Sequence, residues 1–293
     1  MKRIWDKEAG YQPYNPDKLY APIPGMNLAR EVKLGYRGYP IDKENPLFNE
    51  ELVELAPYGI AGQSYYSRPN AAIGEPLADA DQPLMVRKSL AEKLGDINHT
   101  LTDPIFADFF GREVELYAED ALRLPQQQQR LHDDIFPALI SRNHPEATPQ
   151  ERQKIRDRLI APPSYDEDRP SPHATGGAVD IILRYKQPTL DYVAGAEVPM
   201  GHIDGDTSQR VLPDYFELQS SDLQDRADQV AKVNRRAFYA IMTGRAFGVD
   251  TKLQVNPTEW WHWSYGDQMW AKLHHEPAAI YGLAKTLPIN RSK

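Results

Sequence analysis

The chain has 293 residues, 41% of them hydrophobic, enough for one large domain or two small ones with a substantial core. Its net charge is −8 and its 34 Lys and Arg residues are scattered, so no nucleic acid partner is expected. The absence of cysteine excludes disulfides, Cys-bound metal and thiol nucleophiles, and it is typical of a reducing compartment.

No stretch approaches the roughly 18 apolar residues that a membrane helix requires, so no membrane insertion is expected. The first residues, Met1 to Glu8, lack the apolar region of a signal peptide. A cytoplasmic protein is therefore predicted, or a periplasmic one if a signal peptide has been removed.

Residues 1–60 are rich in proline and tyrosine, and one short helix is predicted there, over Leu47 to Leu55. This part is interpreted as an irregular extension that packs on the domain. Residues 61–293 are predicted to form that single domain.

Apolar residues at steps of three and four predict helices further along the chain. The predicted helices run from Pro83 to Leu101 with Asp81 as a cap, from Gln126 to Ile140, from the capping box Thr148 to Glu151 up to Pro162, and from Ser221 to about Gly244. Strands are predicted over Glu113 to Glu119, Ala178 to Tyr185 and Thr258 to Trp263. This irregular mixture favours an α+β domain over a repeating βαβ array.

Two motifs carry the chemistry of the chain. The first is Ser171-Pro-His-Ala-Thr-Gly-Gly-Ala-Val-Asp180, and the second, about eighty residues later, is Glu259-Trp-Trp-His262. Together they offer two imidazoles, a carboxylate ligand and a spare carboxylate, the set that a hydrolytic zinc site needs. Asp180 also lies in an apolar strand, where an acid needs a cation or a donor.

Convergence of these side chains requires departures from regular structure. His173 and Asp180 are seven residues apart, so a straight strand would place them on opposite faces, and Gly176-Gly177 supplies a bend. Glu259 and His262 are three apart, which requires a bulge or a strand end.

Several interpretations of these residues are open. Each residue taken singly is common in ordinary structural roles: a core histidine, a turn aspartate, an amphipathic strand. Two histidines and a carboxylate also form the triad of non-heme iron oxygenases, although the spare glutamate favours hydrolysis.

The spaced set resembles the zinc D-alanyl-D-alanine dipeptidases of the VanX type, of the D,D-peptidase and Hedgehog-like fold. Their signature, Ser-x-His-x-x-Gly-x-Ala-x-Asp followed by Glu-x-Trp-His, is filled at every position. Two further segments are similar to landmarks of that family. They are Tyr65-Tyr-Ser-Arg-Pro-Asn70, with a glycine displaced to Gly74, and Glu119-Asp-Ala-Leu-Arg-Leu-Pro125, with one residue inserted before the proline.

The resemblance implies one zinc ion per chain and a role for each matching residue. The implied metal ligands are His173, Asp180 and His262, the general base is Glu259, and the arginine that stabilises the transition state is Arg123. Tyr65 and Ser171 would contact substrate, and Asp204 or Asp206, after the pair Met200-Gly201, would hold its amino group.

The implied fold is a central antiparallel sheet flanked by helices, with 61–293 as the catalytic domain. The implied activity is hydrolysis of a short peptide, D-Ala-D-Ala, in cell-wall peptidoglycan metabolism. A D,D- or L,D-carboxypeptidase, a dipeptidase of broader scope and a non-catalytic zinc-bearing binding module remain as alternatives.

Overall fold

The computed structural model describes residues 16–24, 35–67, 83–186, 195–201, 226–257 and 259–284. The strands in these ranges are β1 (Leu52–Glu54), β2 (Ala61–Gly62), β3 (Met85–Arg87), β4 (Val114–Asp120), β5 (Ala178–Tyr185), β6 (Gln254–Asn256) and β7 (Glu259–Ser264). The helices are Asp17–Tyr20, Lys88–Thr100, Pro104–Phe110, Pro125–Arg130, Phe136–Asn143, Pro149–Leu159, Pro172–Thr175, Arg226–Met242 and Gln268–Leu273.

The main sheet has five strands in the order β2-β4-β5-β7-β6. Its pairs are antiparallel except at one edge, where the two residues of β2 pair in parallel with β4. β1 and β3 form a separate antiparallel pair. The predicted α+β architecture is confirmed, with one short parallel edge strand added to the antiparallel sheet.

One hydrophobic core joins the sheet to two long helices. Leu90 and Leu94 from the helix Lys88–Thr100 and Phe238 from the helix Arg226–Met242 are buried in the same cluster as Val179 of β5. Burial of these apolar faces is the main stabilising contribution to such a domain. The core therefore fixes the strands that carry the two motifs.

Most predicted elements are present close to their predicted bounds. β5 has the predicted bounds, and β4 is shifted by one residue. The helix from Pro125 to Asn143 is continuous through a π-helical turn, Leu131–Ile135. Thr148 and Glu151 form the predicted reciprocal capping box at the start of the helix Pro149–Leu159.

The predicted helix over Leu47 to Leu55 is wrong. Turns occupy 46–49, and β1 follows because Val53 pairs with Val86 of β3. The same pairing keeps Met85–Arg87 extended, so the next helix begins at Lys88 rather than Pro83. A strand partner 33 residues further along the chain overrides a local apolar pattern here.

The described part of residues 1–60 contributes to the core. Leu19, Ile23, Leu55 and Ile60 are buried in the same cluster as the sheet. The division into an extension over 1–60 and a domain over 61–293 stays a prediction. The proposed cap Asp81 and the predicted helix start at Ser221 lie outside the described residues.

Candidate active site

Three acidic and basic side chains form a row across the middle of the sheet. Asp180 on β5 pairs with Asp120 on β4 and with His262 on β7. Side chains directly opposite on neighbouring strands share a face and lie close together. The sheet itself thus brings one residue of the first motif next to one of the second.

His173 reaches this row from a single helical turn, Pro172–Thr175. Gly176 ends the turn with a φ of +73°, and the chain then enters β5. A Cβ at Gly176 would lie 2.6 Å from Leu52 Cδ2, so the site also lacks room for one. The structure has the bend that the glycine pair predicted.

The donor atoms of His173, Asp180 and His262 converge. His262 Nδ1 lies 3.1 Å from Asp180 Oδ1 and 3.1 Å from His173 Nε2, and His173 Nε2 lies 3.4 Å from Asp180 Oδ1. Both imidazoles are buried, at 5% and 4% exposure. These atoms form a group that could hold a metal ion, and no other such group is found in the described part of the chain.

The backbone orients the imidazole of His173. Its Nδ1 lies 2.7 Å from the carbonyl oxygen of Ala121. A carbonyl only accepts, so Nδ1 carries the hydrogen and Nε2 presents a lone pair in the neutral ring. The N–H of Arg123 in turn donates to the carbonyl of His173 at 3.3 Å. The turn after β4 therefore forms hydrogen bonds with both the ring and the backbone carbonyl of His173.

Arg87 fixes the same helical turn from the other side. Its side chain is 4% exposed and donates to the carbonyls of Glu50, Thr175 and Gly282. Its backbone N–H donates to the carbonyl of Gly176 at 2.8 Å. One buried guanidinium thus joins three segments around the residues that follow His173.

A bulge in β7 resolves the spacing of Glu259 and His262. Val255 pairs with Trp263 but Asn256 pairs with Glu259, so extra residues of β7 lie between two consecutive pairs. Glu259 Oε2 then comes within 3.9 Å of His262 Nδ1. The amide of Asn256 donates to the same oxygen at 2.7 Å and orients the carboxylate.

Arg123 lies beside the converging atoms and is buried, at 8% exposure. Its Nε is 3.4 Å from Asp120 Oδ2, and its guanidinium carbon is 5.2 Å from the centre of the Tyr66 ring. Burial alone would lower the pKa of Arg123, but the charges of Asp120 and Asp180 raise it above its ordinary value. The side chain is a fixed cation at the site.

The two aspartates of the row have opposite pKa shifts. Burial would raise the pKa of Asp180, yet His173 and His262 together hold it well below its usual range. Burial does raise the pKa of Asp120, although Arg123 and His173 oppose the shift. Asp180 is therefore the carboxylate suited to bind a cation, and Asp120 is a neighbour to Arg123.

The predicted substrate-binding residues are only partly described. Ser171 is buried directly before the turn that carries His173, and its side chain does not cap that turn. Tyr65 is half-buried, with its ring edge against Tyr66 at a centroid distance of 5.5 Å. Asp204 and Asp206 lie outside the described residues.

Tyr66, Asp120 and Asn256 were missed by the sequence prediction. Asp120 had a signal, because it lies three residues before Arg123 in the same turn. Tyr66 had none, since its neighbour Tyr65 matched the family pattern. Burial raises the pKa of the Tyr66 phenol and the Arg123 charge opposes this shift, so the two side chains lie close together.

Two imidazoles and a carboxylate, with a second carboxylate and a buried arginine beside them, are the groups that the site of a metal-dependent hydrolase requires. The described residues include no helix long and apolar enough to cross a membrane.

Comparison with known proteins narrows this class. No family model matches the chain. A D-alanyl-D-alanine dipeptidase from Synechocystis sp. is 29% identical over 243 residues, which cover 78% of this chain and 90% of the relative. A solved vancomycin-resistance D,D-pentapeptidase, VanY, in complex with Zn(II), aligns with a TM-score of 0.34 and 15% identity over 83% of this chain and 96% of its own.

The chain is thus similar to a D-alanyl-D-alanine dipeptidase over most of its length, and the resemblance read from the two motifs is confirmed. The predicted class, a zinc metallopeptidase, agrees with the dipeptidase name of this relative and with the group of side chains that could hold a metal ion.

Proposed function

We propose that this chain hydrolyses a short peptide, the dipeptide D-Ala-D-Ala, with a zinc ion held by His173, Asp180 and His262. The observation that carries the proposal is the mutual approach of their three donor atoms, at 3.1 to 3.4 Å. Ligands at about 2.0–2.1 Å from a tetrahedral zinc are separated by about 3.3 Å, so the arrangement fits that ion.

An ordinary hydrogen-bonded cluster is the alternative, and it requires a hydrogen on His262 Nδ1, between Asp180 and His173. His173 already donates through Nδ1 to Ala121, so its Nε2 is an acceptor in the neutral ring. Asp180 is an acceptor as well. Acceptors that meet in a buried space repel each other unless a cation or a proton lies between them.

Glu259 is proposed as the general base. A zinc ion, when bound, lowers the pKa of its water toward about 7 and polarises the peptide carbonyl. Glu259 accepts a proton from the attacking water and passes it to the amide nitrogen as the carbon–nitrogen bond breaks. Asn256 keeps the Glu259 carboxylate in place through its 2.7 Å hydrogen bond.

Arg123 is proposed to stabilise the negative charge that develops on the carbonyl oxygen. It is buried, and its Nη1 has no hydrogen-bond partner among the described residues. A fixed donor in a dry site stabilises a developing oxyanion better than mobile water does. Asp120 and Tyr66 hold the guanidinium in its orientation.

The substrate assignment rests on the dipeptidase relative and on the two filled motifs. Tyr65, Ser171 and one of Asp204 and Asp206 are proposed to bind the dipeptide. The proposed compartment is the cytoplasm, with the periplasm as the alternative.

The test is a panel of L,L, L,D and D,D dipeptides assayed with zinc-loaded full-length protein. Release of free D-alanine from D-Ala-D-Ala, with Glu259→Ala as the blank, is the expected result. No hydrolysis of any dipeptide by protein that holds one zinc per chain would contradict the proposal.

A muramyl pentapeptide separates the proposal from its closest alternative. A pocket closed around a dipeptide rejects the longer chain, whereas a D,D-carboxypeptidase cleaves its terminal residue. Faster cleavage of the pentapeptide than of the free dipeptide would therefore reassign the substrate and retain the mechanism.

A further inference from the structure

The two ring nitrogens of His262 face different surroundings. Nδ1 points toward Asp180 and His173, at 3.1 Å from each. Nε2 lies 3.4 Å from the hydroxyl oxygen of Ser264. For Nδ1 to bind a metal, the single hydrogen of the neutral ring must be on Nε2.

Ser264 alone does not decide where that hydrogen lies. A hydroxyl both donates and accepts, so it could give its hydrogen to Nε2 and leave the ring hydrogen on Nδ1. That tautomer has no lone pair for a metal at Nδ1. A further group must therefore determine the direction of the Ser264 hydroxyl.

Asp267 is placed to do so. Ser264 and Asp267 are both buried, at 0% and 1% exposure. Burial raises the pKa of the Asp267 carboxyl, and the nearby Ser264 hydroxyl opposes that shift. Asp267 Oδ1 accepts the N–H of Trp270 at 2.8 Å, which caps the helix Gln268–Leu273. Its Oδ2 is buried and has no hydrogen-bond partner among the residues that the structure describes, so it is an acceptor available to a neighbouring hydroxyl.

We propose that Asp267 accepts the hydroxyl hydrogen of Ser264, so that Ser264 accepts the Nε2 hydrogen of His262 and leaves Nδ1 free to bind the metal. Ser264 and Asp267 are thus positioning residues that act through His262. The inference rests on the proposed metal site and extends it. It gives His262 a side-chain equivalent of the Ala121 carbonyl that orients His173.

Partners of this kind influence metal affinity as well as ring orientation. Removal of a group that hydrogen-bonds a ligating histidine typically weakens metal binding about 10–100-fold. The tautomer of His262 also predicts which substitutions weaken zinc binding. Asp267→Asn should weaken zinc binding although the amide oxygen still caps the helix, because the amide nitrogen no longer accepts a hydrogen from Ser264.

The experiment measures the zinc dissociation constant of the full-length chain by competition with a chromogenic chelator. Ser264→Ala and Asp267→Asn are expected to weaken zinc binding about 10–100-fold, whereas Ser264→Thr, which keeps the hydroxyl, retains most of the affinity. Thr251→Val is the matched control. It removes another buried hydroxyl, which donates to the Met242 carbonyl, and should leave zinc affinity unchanged.

The melting temperature of each metal-free variant is measured in parallel. Lower melting temperatures with zinc affinity equal to the wild type in both Ser264→Ala and Asp267→Asn would overturn the inference, because the pair would then be structural only. If the wild-type protein itself binds no zinc, the proposed function fails together with the inference. If the wild-type protein binds zinc and is active, weaker zinc binding by the two variants supports the inference separately from the proposed function.

Discussion

His173 and His262 carry the same imidazole, but different kinds of group hold the two rings. A backbone carbonyl orients His173, and the turn that follows it is bonded to the buried Arg87. Side chains surround the second motif instead: Ser264 at His262 and Asn256 at Glu259. A backbone group therefore orients the histidine of the first motif, whereas individual side chains orient the residues of the second motif.

This difference predicts whether a substitution changes the stability of the fold or changes metal binding and turnover. A backbone carbonyl cannot be removed by mutation, so changes around His173 should act through stability. Single substitutions around the β6–β7 hairpin should alter metal binding or turnover while the fold persists. The following substitutions test that division, from the largest expected change in free energy to the smallest.

Glu259→Gln should have the largest effect on turnover. Loss of a general base typically lowers kcat about 10²–10⁴-fold. Since Glu259 is not a proposed ligand, zinc content measured by metal analysis should equal that of the wild type. Full activity in a folded, zinc-loaded variant would remove Glu259 from the mechanism.

Arg123→Ala should lower kcat about 10²–10³-fold, as removal of a single oxyanion donor does. Zinc binding should persist. Arg123 belongs to the turn that holds His173, but its contact with that residue is through the backbone N–H, which alanine retains. A loss of zinc together with activity would contradict this separation of roles.

Arg87→Met should destabilise the fold. Two buried carbonyls and one half-buried carbonyl lose a charged donor, and buried groups left without partners cost about 1–3 kcal/mol each, so about 3 kcal/mol is expected overall. Urea denaturation of the metal-free protein measures the change. The neighbouring Lys88→Ala, which removes an exposed ion pair with Glu51, is the control and should change stability little.

Asn256→Ala should lower kcat about tenfold, equivalent to about 1.4 kcal/mol, because Glu259 loses the donor that orients it. The KM for the dipeptide and the zinc affinity should stay near the wild-type values. An equal loss of kcat and stability would instead assign Asn256 to the hairpin structure.

Tyr66→Phe and Tyr65→Phe form a matched pair with the smallest expected effects. Loss of the hydroxyl beside Arg123 should lower kcat several-fold, on the order of 1 kcal/mol for one hydrogen bond. Tyr65→Phe should instead raise KM if the resemblance assigns its role correctly. The reverse pattern would show that Tyr66 binds substrate and Tyr65 does not.

The sequence predicted those parts of the fold whose signals are local. The period of apolar residues located the helix that contains Leu90 and Leu94, and the bounds of β5 were predicted to the residue. Leu47 to Leu55 failed because its apolar pattern is compatible with a helix or a strand, and pairing with β3 decided between them.

The same distinction between local signals and long-range contacts applies to the candidate site. The residue types and spacing of His173, Asp180, Glu259 and His262 were sufficient to predict a metal site with a spare carboxylate. A seven-residue and a three-residue spacing fit no regular strand, so the sequence indicated that a bend and a bulge or strand end were needed but did not show their geometry. The φ of Gly176 and the bulge in β7 provide that geometry.

The sequence by itself thus determined which residue types form the site and which family the chain resembles, because each motif is a short continuous segment of the chain. Only the tertiary structure decided which neighbours act with them. Asp120, Tyr66, Ser264 and Asp267 are common residue types without a distinctive pattern, and their proximity to the ligands arises from strand pairing and burial. Long-range contacts of this kind have no local signature in the chain.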